Sequence, residues 1–143
     1  MKLCPRLRSA HLRIALLHGS MLVAPALLLA QHRAAAQALP ANAAPQGGRV
    51  VGGAATIGQG PATTTITQST DRAVIDWRSF DVGRDHSVQF RQPATTSMTL
   101  NRVTGPDPSV IAGRITANGG IALINQSGVV FAGGSQVQAQ SVI

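Results

Sequence analysis

The sequence predicts an all-β protein, a right-handed parallel β-helix. Three observations carry that expectation. After Ala38 no window of a dozen residues keeps a 3.6-residue period with helix formers, and Glu and Lys, the usual surface residues of helices, do not occur there. The same stretch holds many short apolar alternations, each bounded by Gly, Asn, Asp or Pro. The tight-turn pairs that antiparallel hairpins need are sparse, Asn118-Gly119 being the exception. Short strands also suit a sandwich or a barrel, but the tail repeats a strand-corner unit: Ile121 to Asn125, Gln126-Ser127-Gly128, Val129 to Phe131, Gly133-Gly134, then Val137. Asn and Gly at such corners supply φ > 0 bends and side-chain ladders between stacked coils, which favours the solenoid.

The first element is a leader. Residues Met1 to Arg13 carry four positive charges and no negative one, and Met21 to Ala30 is a ten-residue apolar run followed by an Ala-rich stretch. A basic start, a short apolar centre and Ala36-Gln37-Ala38 are the parts of a secretory signal peptide over 1–38. A retained membrane anchor is the competing reading, but a spanning helix wants ~20 apolar residues, and His18, Gly19, Ser20 and Pro25 interrupt this stretch. Cleavage after Ala38 leaves Leu39 to Ile143, one domain at most.

Residues 39–48 are rich in Pro, Ala, Asn and Gly without an apolar period and read as a flexible mature N-terminus. Strands are then expected at Arg49 to Ile57, Thr63 to Gln68, Ala73 to Trp77, Ser87 to Arg91 and Ser97 to Val103. Further strands are expected at Arg114 to Ala117, Gly120 to Asn125, Gly128 to Ala132 and Ser135 to Val142. Trp77, Phe80, Phe90 and Phe131 alternate with polar neighbours, the pattern of aromatics that fill a core.

Charge and cysteine usage exclude several functions. The formal net charge of +7 belongs mostly to the leader, which holds five of the twelve basic residues and none of the acidic ones. After Ala38 seven Arg stand against five Asp, scattered singly, so the clustered patch that nucleic-acid binding needs is missing. The only Cys, Cys4, lies in the leader, so the remainder has no disulfide framework and no Cys-based metal site. No cofactor is expected. His86 is the only His after Ala38, too few for a transition-metal site. Asp71, Asp76, Asp81 and Asp85 fall close together and would be the carboxylates of a polysaccharide-cleaving enzyme. Each has an Arg within three residues and no spacing singles out a pair, so turn and charge-pair roles are expected and catalysis is not. Asn125-Gln126-Ser127 matches a glycosylation acceptor by letter, but a β-corner accounts for the same residues.

Four ordered blocks carry a family resemblance: Ile75-Asp-Trp-Arg-Ser-Phe-Asp-Val-Gly83, Val88-Gln-Phe-Arg-Gln-Pro93, Leu100-Asn-Arg-Val-Thr-Gly105, and Ser109 to Gly119. With them the chain resembles the amino-terminal secretion domain of filamentous-haemagglutinin-type exoproteins, over roughly Arg49 to Ile143. Where that family carries Asn-Pro-Asn-Gly and an aliphatic residue, Asn125-Gln126-Ser127-Gly128-Val129 keeps the first Asn, the Gly and the aliphatic.

The resemblance implies a right-handed parallel β-helix with extra antiparallel strands, here truncated and so incomplete at its C-terminal end. It implies a secretion-signal module of a large exported adhesin of a Gram-negative bacterium, secreted or held at the cell surface. The implied partners are the Sec export machinery, an outer-membrane β-barrel transporter with periplasmic recognition domains, and a host surface or glycan met through a downstream region. Candidate transporter-recognition or fold-nucleating positions are Trp77, Phe80, Phe90, Asn101, Arg102, Asn118, Asn125 and Gly128. A stand-alone adhesive or glycan-binding β-helix module is the alternative.

Overall fold

A computed structural model describes residues 38–143; the expected signal peptide, but for Ala38, lies outside the described residues. Alternation decides which side of each strand faces inward, and the corners decide where the chain changes face. Twelve strands form, and no helix occurs among the described residues: β1 (Arg49–Gly52), β2 (Ala55–Gln59), β3 (Thr63–Gln68), β4 (Arg72–Trp77), β5 (Ser87–Arg91), β6 (Met98–Val103), β7 (Ser109–Ile111), β8 (Arg114–Ala117), β9 (Gly120–Asn125), β10 (Val129–Phe131), β11 (Gln136–Gln138) and β12 (Ser141–Val142).

These strands wind into a β-solenoid of about three turns. On one face β3, β5, β8 and β11 stack in parallel, Thr63 against Ser87, Ser87 against Arg114 and Arg114 against Gln136. On the second face β4, β6, β9 and β12 stack likewise, Arg72 on Met98, Met98 on Gly120 and Gly120 on Ser141. The third face is narrower: β7 and β10 pair in parallel, and a bridge from Val82 to Ile111 extends it into the first coil.

The first coil is closed by antiparallel chain. β1 pairs with β4 and β2 with β3, so the edges that a solenoid leaves open at this end are covered on two faces. Residues 41–46 cover the third. Gln46 bridges Ser79, Gly83 N–H donates to Ala43 O at 2.8 Å, and Asp85 N–H donates to Ala41 O at 2.7 Å. Pro45 is buried. The segment expected to be flexible is therefore laid across the coil between Ala41 and Gly48. Main-chain hydrogen bonds hold it, and these need no side-chain pattern.

Inward rows build the core. Ile66 lies against Phe90, Val88 against Ile115, Thr99 between Ala73 and Ile121, and Trp77 against Val103. Ile66, Ile75, Trp77, Phe80, Val82, Val88, Phe90 and Ile111 are almost wholly buried. Phe131 departs from its expected core role, at 57% exposed. It continues the inward row of Val82 and Ile111, but among the described residues no strand lies beyond β10 to cover it. The expected strand over 49–57 is two strands, and that over 135–142 is two strands on different faces. β7 was not expected as a strand.

Candidate functional site

The fold sorts the eight candidate residues into a buried set and an outer set. Trp77, at the end of β4, is fully buried; its indole N–H donates to Asn101 Oδ1 at 3.0 Å. Asn101, one coil up on β6, is also buried and passes the contact on, its Nδ2 donating to Ala122 O at 3.2 Å. Phe80 meets the Trp77 ring edge-on, centroids 5.4 Å apart at 81°, a favourable aromatic geometry. Phe90 fills the opposite side of the core. A polar ladder thus links three successive coils inside an apolar core, and every buried polar atom named in it has a partner.

Arg102 faces outward near the end of β6, and Asn118, Asn125 and Gly128 line the corners. Arg102 is exposed and forms a forked ion pair with Asp76 one coil below, Nε to Oδ1 at 2.8 Å and Nη2 to Oδ2 at 3.0 Å. Asn118 is exposed at the corner between β8 and β9, where its Nδ2 donates to Gln92 O and its Oδ1 accepts the Gln92 N–H. Asn118-Gly119 therefore turns the chain from one face to the next, and no hairpin forms there. Asn125 Nδ2 donates to Asp107 O and Ser109 Oγ, both at 3.0 Å, and its Oδ1 accepts the Ser127 N–H at 2.8 Å.

The corner without its usual Pro still closes, because Asn125 holds Ser127 and Gly128 takes φ +99°. Nothing lies within 4 Å of a Cβ placed on Gly128, so only backbone conformation opposes a side chain there. Gly128→Ala is expected to cost about 1 kcal/mol, and Gly128→Asn less, measured by urea unfolding.

Gln92, not among the expected site residues, is the hub of the corner between the first two faces. Its Nε2 donates to Thr99 Oγ1 at 3.0 Å, Gly120 O at 2.9 Å and Ser97 O at 3.3 Å, and its Oε1 accepts the Gly119 N–H at 2.8 Å. Thr99 Oγ1 in turn donates to Gln68 Oε1 one coil below. A glutamine at a strand end reads as a surface residue, and only membership of the block Val88 to Pro93 marked it.

Three of the four clustered carboxylates are engaged locally. Asp76 holds Arg102, Asp81 Oδ1 accepts the Val110 N–H at 2.9 Å, and exposed Asp85 lies 3.8 Å from Arg84. Among the described residues no group of three metal-ligating side chains converges. His86 is buried, with Nε2 2.9 Å from Thr64 Oγ1 and Nδ1 without a hydrogen-bond partner. Burial pushes its pKa below the ordinary 6.5, with the Pro61 backbone opposing. Above about pH 6.5 the ring is neutral folded and unfolded, so that stability is fully present. As pH falls, the unfolded chain binds the proton first and stability drops until the folded value is passed. Thermal unfolding at pH 7 and pH 5 is expected to show a fall on acidification that is absent in His86→Gln.

Comparison with known proteins completes the picture. The family model described as TPS secretion domain matches residues 36–143. A heme/hemopexin-binding protein of Haemophilus influenzae is 43% identical over 93 residues, which is 65% of this chain and 10% of that protein. A second protein of the same name and species is 39% identical over 100 residues, 69% of this chain and 11% of that one. The chain thus spans about a tenth of the length of the curated relatives it matches. The crystal structure of the HMW1 secretion domain from Haemophilus influenzae superposes with a TM-score of 0.58 at 36% identity, covering 62% of this chain and 23% of that one.

Proposed function

The chain belongs to the TPS secretion domain family, a family of secreted exoproteins, and from that premise we propose that it is read by an outer-membrane β-barrel transporter and then starts the folding of a longer β-helix. The observation that carries this reading is the extent of the family match, which takes in all the described coils together with the strap and antiparallel strands that close the first of them. The relatives it matches are described as secretion or heme/hemopexin-binding proteins and not as enzymes.

Burial supports a division of labour among the eight candidate residues. Trp77, Phe80, Phe90 and Asn101 are inside the folded coils, so their contribution is to the speed and stability of coil formation. Arg102 on β6 and Asn118, Asn125 and Gly128 at the corners lie at or near the surface, where a periplasmic recognition domain reaches them without unfolding the chain. The proposed route runs through the Sec machinery into the periplasm and across the pore as extended chain. A segment without cysteine after Cys4 and with few charges suits that passage. Outside, each completed coil offers the next an edge to pair with, which disfavours return.

Direct binding tests this. The periplasmic recognition domains of the transporter encoded beside this gene would be titrated with the signal-free chain and with the double variant Asp76→Asn, Arg102→Gln. Loss of that exposed pair costs at most about 1 kcal/mol of stability. About tenfold weaker binding with nearly unchanged unfolding supports recognition at the outward face around Arg102; unchanged binding would remove Arg102 from the recognised surface.

A further inference from the structure

The outward sides of the two main sheets differ in chemistry. On the sheet of β1, β4, β6 and β9 the outward residues include the apolar row Val74, Leu100 and Ala122, beside the closed ion pair of Asp76 with Arg102 and the exposed Arg49 and Arg72. On the sheet of β2, β3, β5, β8 and β11 the outward rows are hydroxyls and amides. Thr65, Gln89, Thr116 and Gln138 stand in one register line, and Thr63, Ser87, Arg114 and Gln136 in the next. These five strands contain no Asp or Glu. Arg91 and Arg114 are exposed on this face, and neither forms an ion pair among the described residues. Gln89 Oε1 accepts from both Nε and Nη2 of Arg91, at 3.3 and 3.1 Å, which holds the guanidinium beside Gln89. A shallow groove of about 420 Å³ runs over Gln89, Arg91, Thr116, Asn118 and Gln138.

We propose that this face binds an anionic polysaccharide, with carboxylate or sulfate groups on Arg91 and Arg114 and sugar hydroxyls on Gln89, Thr116 and Gln138. Charge complementarity carries the choice of ligand: two cations stand on strands without a counter-charge, and guanidinium pairs well with planar or polyoxygen anions. The hydroxyl and amide rows repeat at the inter-strand spacing of ~4.8 Å, so a ligand that is itself a repeating polyol meets the same donors and acceptors at each step. Single-stranded nucleic acid fits poorly, because no aromatic ring is exposed on this face for bases to stack on. A protein partner fits poorly too, because the face lacks the apolar centre that protein interfaces bury.

The test uses the signal-free chain and three immobilised polysaccharides: heparin as the sulfated probe, polygalacturonate as the carboxylated one, and dextran as the neutral one. Retention on heparin or polygalacturonate, and none on dextran, is expected. The double variant Arg91→Gln, Arg114→Gln is expected to weaken binding about tenfold or more. Gln89→Leu with Thr116→Val, which leaves the charge unchanged, should weaken it about threefold or more. Arg49→Gln with Arg72→Gln removes two cations from the other sheet and should leave binding as it was. All variants would be checked by circular dichroism and thermal unfolding, since the altered side chains are outward-facing and the coils should persist. Failure of the chain to bind either anionic polysaccharide overturns the proposal. So does equal weakening by the two arginine pairs, which would reduce the interaction to net charge.

Discussion

Trp77→Ala is expected to remove about 4 kcal/mol of folding stability, a large share of the ~5–15 kcal/mol typical of a whole domain. Three separate losses add there. A fully buried indole leaves a cavity, the edge-on contact with Phe80 disappears, and Asn101 Oδ1 is left in the core without its donor. The ring also fills the space beside Gly48, where a Cβ would lie 2.4 Å from an indole carbon, so the antiparallel cap loses a supporting surface as well. A Tm fall of about 20 °C follows for a domain of this size. Trp77→Phe keeps much of the volume and isolates the polar loss, at about 1–3 kcal/mol. Urea unfolding followed by far-UV circular dichroism measures both; a change below ~1 kcal/mol for the Ala variant would contradict the packing described.

Gln92→Leu is the second large effect, at about 3 kcal/mol. The substitution keeps an apolar volume close to the original but strips partners from the Gly119 N–H, the Gly120 carbonyl and the Thr99 hydroxyl, all at a corner closed to water. Unpaired buried groups cost ~1–3 kcal/mol each, moderated where a second partner remains. Gln92→Glu should behave differently with pH. An ionised carboxylate would face the Gly120 and Ser97 carbonyls, so its folded pKa is raised above the unfolded value of about 4.3. Its stability should therefore be fully present below about pH 4.3 and be lost as pH rises through the folded value. An equal stability difference between Gln92→Glu and the parent chain at pH 4 and pH 7 would show that the amide is not the donor, the His86 contribution being common to both.

Much of this architecture was legible because strand alternation and corner residues agree. The expected bounds of the second, fourth, sixth and seventh strand candidates coincide with β3, β5, β8 and β9, where apolar residues alternate cleanly between turn signals. The aromatic pattern placed Trp77, Phe80 and Phe90 in the core. Other parts left no such trace. β7 is three residues long, too short for alternation to register. The strap over 41–46 is held by main-chain groups, which every sequence possesses. Phe131 has the letter of a core residue and an inward position, yet its burial depends on what covers the next step of the row. Gln92 and Gln68 were unreadable for the opposite reason: polar letters suggest surface, while in a solenoid the corners bury amides to join successive coils. At the candidate site the sequence marked the blocks, and the coil geometry separated the residues that build the core from those that face outward.

The measurement that bears most directly on the central claim is export with and without the transporter. The full chain would be expressed in a Gram-negative host with and without the transporter gene encoded beside it, and medium and periplasm assayed, with the N-terminus of the product determined by mass. Appearance in the medium only when the transporter is present, starting near Leu39, is the expected result. Signal-free chain held in the periplasm in both hosts, at equal amounts, would contradict a secretion-signal function.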